Sequence, residues 1–417
     1  MTGGRETVAL SAEDRAILAL ESGHVAGHTA KVVRLRGPLD VNALRRSVDA
    51  RLGRAPRLAW RLGGAAESPV WERVDPDLGH HVKDGGRVAQ AQVAERVGAL
   101  FAERLPRDRP LWRMDLLHAG EGSVIVWRVH HALADGTAVM RFASQVLWDE
   151  QGAPPRGDGA AAGPAPRGPG DERPGGRAAF LLREFSRSAR RNPFDARPGP
   201  GRSVALASVP LRPLHDAAKA LAGATLNDAV LVCVAGGVRR WLEGHHEPGR
   251  PLRIKVPVSL HGSHDELGNR DSFFVVAVPL GEPDPARRLA EVHAETRLRK
   301  ERHDAEAMDA LLQGLARHSP GLERLTERIE RSGRAFGLNV SNVRGPSAAV
   351  EVLGVAVASV HSLAEVAEHH ALRVAVVSVA GALQFGLVAD PAVVDGVEVI
   401  ARGIESEAEA LSAAAPG

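Results

Sequence analysis

Read from the N-terminus, apolar and polar positions switch repeatedly between a period of two and a period near 3.6, and each switch marks an element. Ser11 is suited to cap a helix whose first turn carries Glu13 and Asp14. Residues 30–36 read as a strand, and Asp40 precedes a helix with Val41, Leu44, Val48 and Leu52 on one face. A helix over 90–105, strands near 112–118 and 123–131, and a helix over 137–149 complete a first half. The second half opens with a strand near 203–209, followed by a long apolar helix over 226–242. Strands at 252–260 and 272–280 come next, then helical periodicity over 285–331. Strands near 336–343, 350–359, 371–379 and 382–389 are expected to close one sheet, and a last helix ends the pattern. Strands and helices interleave without a strict βαβ rhythm. That predicts an α/β protein of mixed sheets with helices packed on them.

Composition adds a boundary. Residues 151–202 hold nine Pro and ten Gly and show almost no periodicity before Phe180. Such a stretch buries too little apolar area to order itself. The expected organisation is therefore an N-terminal domain over 1–151, a flexible Pro/Gly/Arg-rich linker over 152–178 and a C-terminal domain over 179–417. A short amphipathic helix carrying Phe180, Leu181, Glu184, Phe185 and Ser188 is expected after the linker. The length of 417 residues, with 44% hydrophobic and 25% charged residues, suits two globular domains. The net charge is only +2, but 151–202 alone carries ten Arg against five acidic residues. A solvated linker accounts for that, and contact with phosphates or anionic lipid is the competing reading.

Tyr is absent and aromatics are 4%, which argues against nucleic-acid modules that stack bases on aromatic rings. The single cysteine, Cys233, lies in an apolar run and reads as a buried thiol. No HExxH, GxSxG, GxxxxGK or GxGxxG occurs, so no metal, nucleophile elbow, P-loop or dinucleotide cofactor is expected. No apolar leader opens the sequence and no stretch reaches ~18 apolar residues. A cytoplasmic location is expected, with room for peripheral contact at the inner membrane face or at lipid inclusions.

The sharpest local signal is His130-His131-Ala132-Leu133-Ala134-Asp135-Gly136, directly after the strand at 123–129. Side chains alternate along a strand, so the two histidines point to opposite faces and have unequal roles. One can look into a cleft as a general base, in a loop shaped by Asp135 and by Gly136, which permits positive φ or close approach. Two structural histidines at a strand end is the competing reading. Three further stretches stand out: Pro110-Leu111-Trp112, Asn227-Asp228 at the start of the long apolar helix, and Ser341-Asn342-Val343-Arg344-Gly345-Pro346 at a strand end. Each has a bland explanation too, as an aromatic anchor, a helix cap and a turn.

Together these four stretches resemble, in order, the PLW, HHxxxDG, ND and SNVPGP motifs of the bacterial bifunctional wax ester synthase/acyl-CoA:diacylglycerol acyltransferases. Val256-Pro257-Val258-Ser259, Leu267-Gly268-Asn269-Arg270 and Phe385-Gly386-Leu387-Val388-Ala389-Asp390 also look like blocks of that family. Arg344 stands where the family motif has proline. The resemblance implies two tandem domains of the CoA-dependent, chloramphenicol acetyltransferase-like fold. It implies O-acyl transfer from acyl-CoA to diacylglycerol or a long-chain alcohol, with acyl-CoA as substrate and no separate cofactor. It makes His131 the general base, with His130, Asp135 and Gly136 completing the catalytic loop. It gives seven residues to substrate binding: Pro110, Leu111 and Trp112 help shape the acyl side, Asn227 and Asp228 line or brace the channel, and Ser341 and Asn342 complete the set. Two other readings stay open: a condensation-type acyltransferase using a carrier-protein thioester, and a non-catalytic lipid-binding relative.

Overall fold

The computed structural model describes residues 6–21, 23–65, 67–149, 192–247, 249–259, 271–302 and 336–416. The expected linker at 152–178, the helix around 180–188, the block 267–270 and most of the helical stretch after 302 lie outside them. The first half contains seven strands: β1 (Thr7–Ala9), β2 (His28–Leu35), β3 (Trp60–Ala65), β4 (Ser68–Arg73), β5 (Val82–Val88), β6 (Trp112–Ala119) and β7 (Gly122–His130). The second half contributes β8 (Ser203–Pro210), β9 (Leu252–Ser259), β10 (Asp271–Val278), β11 (Leu338–Arg344), β12 (Glu351–Val352), β13 (Val355–Ala364), β14 (Leu372–Val379) and β15 (Ala382–Ala389). The helices are α1 (Ala12–Leu20), α2 (Val41–Arg51), α3 (Leu78–His81), α4 (Val93–Ala102), α5 (Gly136–Phe142), α6 (Leu211–Ala222), α7 (Leu226–Gly244), α8 (Pro285–Glu301) and α9 (Val397–Ala414).

The mixed α/β class holds. One six-stranded sheet runs β12-β13-β2-β7-β6-β5 and the other β10-β9-β11-β14-β15-β8, each with parallel and antiparallel neighbours. Ser11 and Asp40 cap their helices as expected, Ser11 in a full capping box with Asp14. The helix expected over 137–149 is α5 followed by a π-helical turn over Ala143–Leu147. β1, β3, β4, β5 and α6 escaped the periodicity.

One expectation fails. The strand near 350–359 does not close the second sheet; β13 pairs antiparallel with β2, with Val360 opposite Val33 and Ser362 opposite Lys31. The reason is topological. β11 and β14 are parallel neighbours, and parallel neighbours need a long crossover. Here the crossover is the β12–β13 excursion, which completes the sheet of the other half. Residues 351–364 therefore belong structurally with the N-terminal sheet, which corrects the simple assignment of 179–417 to one domain. β13 lies so close across β15 that a Cβ on Gly386 would fall 1.9 Å from the Ser362 carbonyl oxygen.

Three cores result. α7 is buried along most of its length between α9, α6, α8 and the second sheet, with Cys233 inside. A second core fills one face of the first sheet and takes in Val377 and Val379 of β14. The third joins the halves: Val97 and Phe101 of α4 meet Val126, Leu363, Val204 and Val388.

Candidate active site

β7 ends at His130, in the middle of the first sheet and beside the seam between the halves. The alternation along β7 separates the histidines as expected. His130 is 1% exposed, and both ring nitrogens are engaged. Its Nδ1 accepts from the Ala132 amide at 3.0 Å, so its Nε2 carries the proton and donates to Glu21 Oε1 at 2.5 Å. Arg107 holds the same carboxylate at 2.6 Å. Burial pushes the Glu21 carboxyl up, but His130 and Arg107 outweigh it and hold the group below its ordinary range. Gly27, at φ +68°, passes directly against this ring. A Cβ there would lie 2.8 Å from His130 Nε2, and the Gly27 carbonyl accepts the His131 amide at 3.0 Å.

His131 differs in every respect. Among the described residues its ring makes no hydrogen bond, and the side chain is only partly buried. Burial lowers its pKa to about 3, helped by the nearby cations Arg373 and Lys31. The imidazole is therefore neutral and unengaged at neutral pH. Asp135 caps α5, its Oδ1 accepting the Ala138 amide at 2.6 Å, so it shapes the loop. Gly136 is the first residue of α5 and lacks the positive φ anticipated for it. A Cβ there would make ordinary contacts, 3.5 Å from Val343 Cγ2 and 4.0 Å from Lys31 Nζ.

The structure assigns the other motif residues unequal places. Val343, and with it the strand of Ser341 and Asn342, packs beside α5, so that motif does meet the histidine loop. Ser341 is half-buried and Asn342 exposed. β11 pairs with β9 only at Leu338 and Asn339, so beyond Asn339 its edge is not paired with β9. Pro110, Leu111 and Trp112 are all buried. Trp112 Nε1 donates to the Leu58 carbonyl at 2.7 Å and its ring stacks on His81 at 4.4 Å. The Leu111 carbonyl accepts the His130 amide at 2.9 Å. This segment braces the end of β7. Asp228 is likewise a brace. It forms a capping box with Thr225 and accepts from His293 Nδ1 at 2.9 Å and Thr296 Oγ1 at 2.7 Å, tying α7 to α8. Burial raises its pKa, but these bonds overcome that and hold the carboxyl low. Asn227, next to it on the first turn of α7, is half-buried.

Residues the motifs did not flag complete the site. Arg202, at the entry to β8, donates to Glu365 Oε1 at 2.7 Å and to the His24 carbonyl at 2.6 Å. Glu365 also accepts the Ala26 amide at 3.4 Å, so this buried pair ties β13 and β8 to the loop that carries Gly27. Burial raises the Glu365 pKa despite Arg202. Arg373, the cross-strand neighbour of Asn339, is pushed down to about 10 by burial, with Glu365 opposing. Lys31 reaches Ser362 Oγ at 2.6 Å from inside the first sheet. Lys31 and Arg373 each interrupt an apolar strand pattern, a signal open to sequence reading, but nothing local says what they face.

Known proteins bear on this arrangement at two levels. The wax ester synthase/diacylglycerol acyltransferase catalytic domain matches residues 10–173, and the WS/DGAT C-terminal domain matches 267–412. A Mycobacterium tuberculosis protein named as a diacylglycerol O-acyltransferase is 28% identical, covering 95% of this chain and 94% of its own. A second one so named from that organism is 29% identical, covering 81% and 75%. Among solved structures, the wax ester synthase/diacylglycerol acyltransferase of Marinobacter aquaeolei VT8 superposes with a TM-score of 0.73 at 22% identity, covering 97% of this chain and 98% of that one. The first condensation domain of the CDA synthetase follows at 0.61 and 17%, covering 100% and 98%. At these identities the structural likenesses speak for the fold: two-domain acyltransferases of the condensation-domain type.

Proposed function

The chain belongs to the wax ester synthase/diacylglycerol acyltransferase family, and from that membership we infer that it transfers a fatty acyl group from acyl-CoA to an alcohol. The acceptor hydroxyl is that of diacylglycerol or a long-chain alcohol, giving triacylglycerol or wax ester. The observation that carries the reading is His131, an imidazole kept neutral beside the seam between the halves, whose ring makes no hydrogen bond among the described residues. As the acceptor oxygen attacks the thioester carbonyl, this imidazole takes the hydroxyl proton. The tetrahedral intermediate collapses, the C–S bond breaks, and the imidazolium returns the proton to the CoA sulfur. Arg373 and Lys31 disfavour the imidazolium, which drives that return. His130, Glu21, Gly27 and Asp135 hold the loop so that the base does not swing. Ser341 and Asn342, on the strand beside α5, are the motif residues best placed to meet substrate. The reaction as written uses side chains alone and calls for no metal or prosthetic group.

Transfer is direct. Cys233 is buried and its thiol pKa is raised by that burial, so it is no nucleophile. Because the acceptors are lipids, the protein works at a membrane or lipid-inclusion surface. Among the described residues no single helix is long and apolar enough to span one.

The test is purified protein with palmitoyl-CoA and a panel of hexadecanol, dioleoylglycerol and short alcohols, with free CoA thiol and separated lipid products measured. Acceptor-dependent thiol release with an ester product is expected, and mass spectrometry after palmitoyl-CoA alone should show unmodified protein. Thiol release indifferent to every acceptor would refute the reading, and a stoichiometric acyl adduct chased off by alcohol would refute direct transfer.

A further inference from the structure

Lys31 is a buried ammonium, 1% exposed, on β2 in the middle of the first sheet. Its register partners are Trp127 on β7 and Ser362 on β13, and cross-strand partners share a face. Counting on from Trp127 through Val129, the same face carries His131. The ammonium therefore lies on the side of the base and away from His130. It also stands at the start of α5, at the distance from Gly136 given above. Its one hydrogen bond among the described residues goes to Ser362 Oγ, and an ammonium has three N–H donors. Among the described residues no carboxylate lies within ion-pair distance of it; Asp135 acts on it only at longer range. Burying a cation with one neutral partner is costly, and such an arrangement suits charge that appears only during a reaction.

We propose that Lys31 donates a hydrogen bond to the oxyanion that forms as the acceptor attacks the thioester carbonyl. The proposal rests on the acyl-transfer reading. In the step, the acceptor oxygen bonds to the carbonyl carbon while the π pair moves to the carbonyl oxygen. Lys31 keeps its proton and shares it with that oxygen. When the C=O bond re-forms and the C–S bond breaks, the hydrogen bond relaxes and the sulfur takes the proton from His131. Ser362 is the positioning residue that holds the ammonium toward the site. Its strand comes from the second half, so the donor is in place only when β13 is seated on β2.

A pH signature follows. Burial lowers the Lys31 pKa to about 8, with Asp135 opposing. The charged group acting on it is Asp135 of the histidine loop, while His131 of that loop, Ser362 of β13 and Trp127 of β7 are neutral. The donor is charged below that pH and lost above it, so kcat should fall on the alkaline side near pH 8.

The experiment compares wild type with Lys31→Met, Lys31→Arg and Ser362→Ala, measuring kcat and KM between pH 6 and 9.5. It also measures binding of palmitoyl-CoA and of a trifluoromethyl-ketone analogue of it, whose hydrated carbon mimics the tetrahedral centre. Lys31→Met should lower kcat about 10²–10³-fold with KM little changed, and weaken the ketone by a similar factor while leaving palmitoyl-CoA binding alone. Lys31→Arg should keep more activity and move the alkaline limb beyond pH 9, and Ser362→Ala should lower kcat less than Lys31→Met. A folded Lys31→Met with wild-type kcat, equal weakening of substrate and ketone, or an unmoved limb in Lys31→Arg would overturn the proposal. If wild type transfers nothing to any acceptor, the functional reading fails by itself. The ketone-to-substrate ratio still judges Lys31, and a wild type that binds neither overturns both.

Discussion

His130 and His131 are adjacent, yet among the described residues one ring makes two hydrogen bonds and the other none. Their substitutions should therefore fail differently. His131→Ala removes the base and should cost about 10²–10⁴-fold in kcat while the protein melts as wild type does. His130→Ala leaves the Ala132 amide and the Glu21 carboxylate without their partner, so it should lower the melting temperature and, through loop disorder, the rate. Calorimetry and steady-state kinetics on both variants check this. Near-normal turnover in His131→Ala with any active acceptor would remove the general base from the mechanism.

Among the elements, α7 shows how a motif residue can brace the fold. Asp228 caps the helix and receives hydrogen bonds from two side chains of α8, both from within the second half. Asp228→Ala loses the cap, worth about 1 kcal/mol, and the hydrogen bonds that His293 and Thr296 make to the carboxylate, at about 1–3 kcal/mol more, although the Thr296 hydroxyl keeps the His293 carbonyl as an acceptor. The expected outcome is a folded but weaker protein, about 2–4 kcal/mol less stable in urea, with kcat per folded molecule close to wild type. A variant of unchanged stability and lost kcat would instead place Asp228 in the substrate channel.

For the whole molecule, several histidines are buried in the neutral form. Burial is the leading cause in each: His28 lies well below its ordinary value, and His81 and His361 are each lowered to about 4. In the unfolded chain all three titrate near 6.5. Between that pH and about 4 the unfolded state binds more protons, so stability is present above 6.5 and is lost as pH falls. The slope approaches about 1.4 kcal/mol per pH unit for each histidine. His131 adds the same sign. Glu365 and Glu407, raised by burial against Arg202 and Arg288, pull the other way. The balance predicts a lower urea midpoint at pH 5.5 than at pH 7.5, and an equal or higher one would contradict it.

The sequence by itself determined what depends on near neighbours. Alternation located β2, β6, β7 and most second-half strands; side-chain chemistry located the caps at Ser11 and Asp40. Strand alternation alone required that His130 and His131 part company. The ordered motifs carried the family resemblance. Only the tertiary structure decided what depends on which distant segment arrives. β13 looks like a strand of the second half, and it becomes one of the first because the parallel pair β11–β14 needs a crossover and β2 offers a matching row. Sequence leaves Asp228 to line or brace the channel and Pro110-Leu111-Trp112 to shape its acyl side; only the packed groups show what each of them braces. Lys31, Glu21, Arg202 and Arg373 carry no motif; what brings them to one loop is the pairing of strands far apart in sequence. Periodicity reports the face a residue presents, and it cannot report what that face will meet.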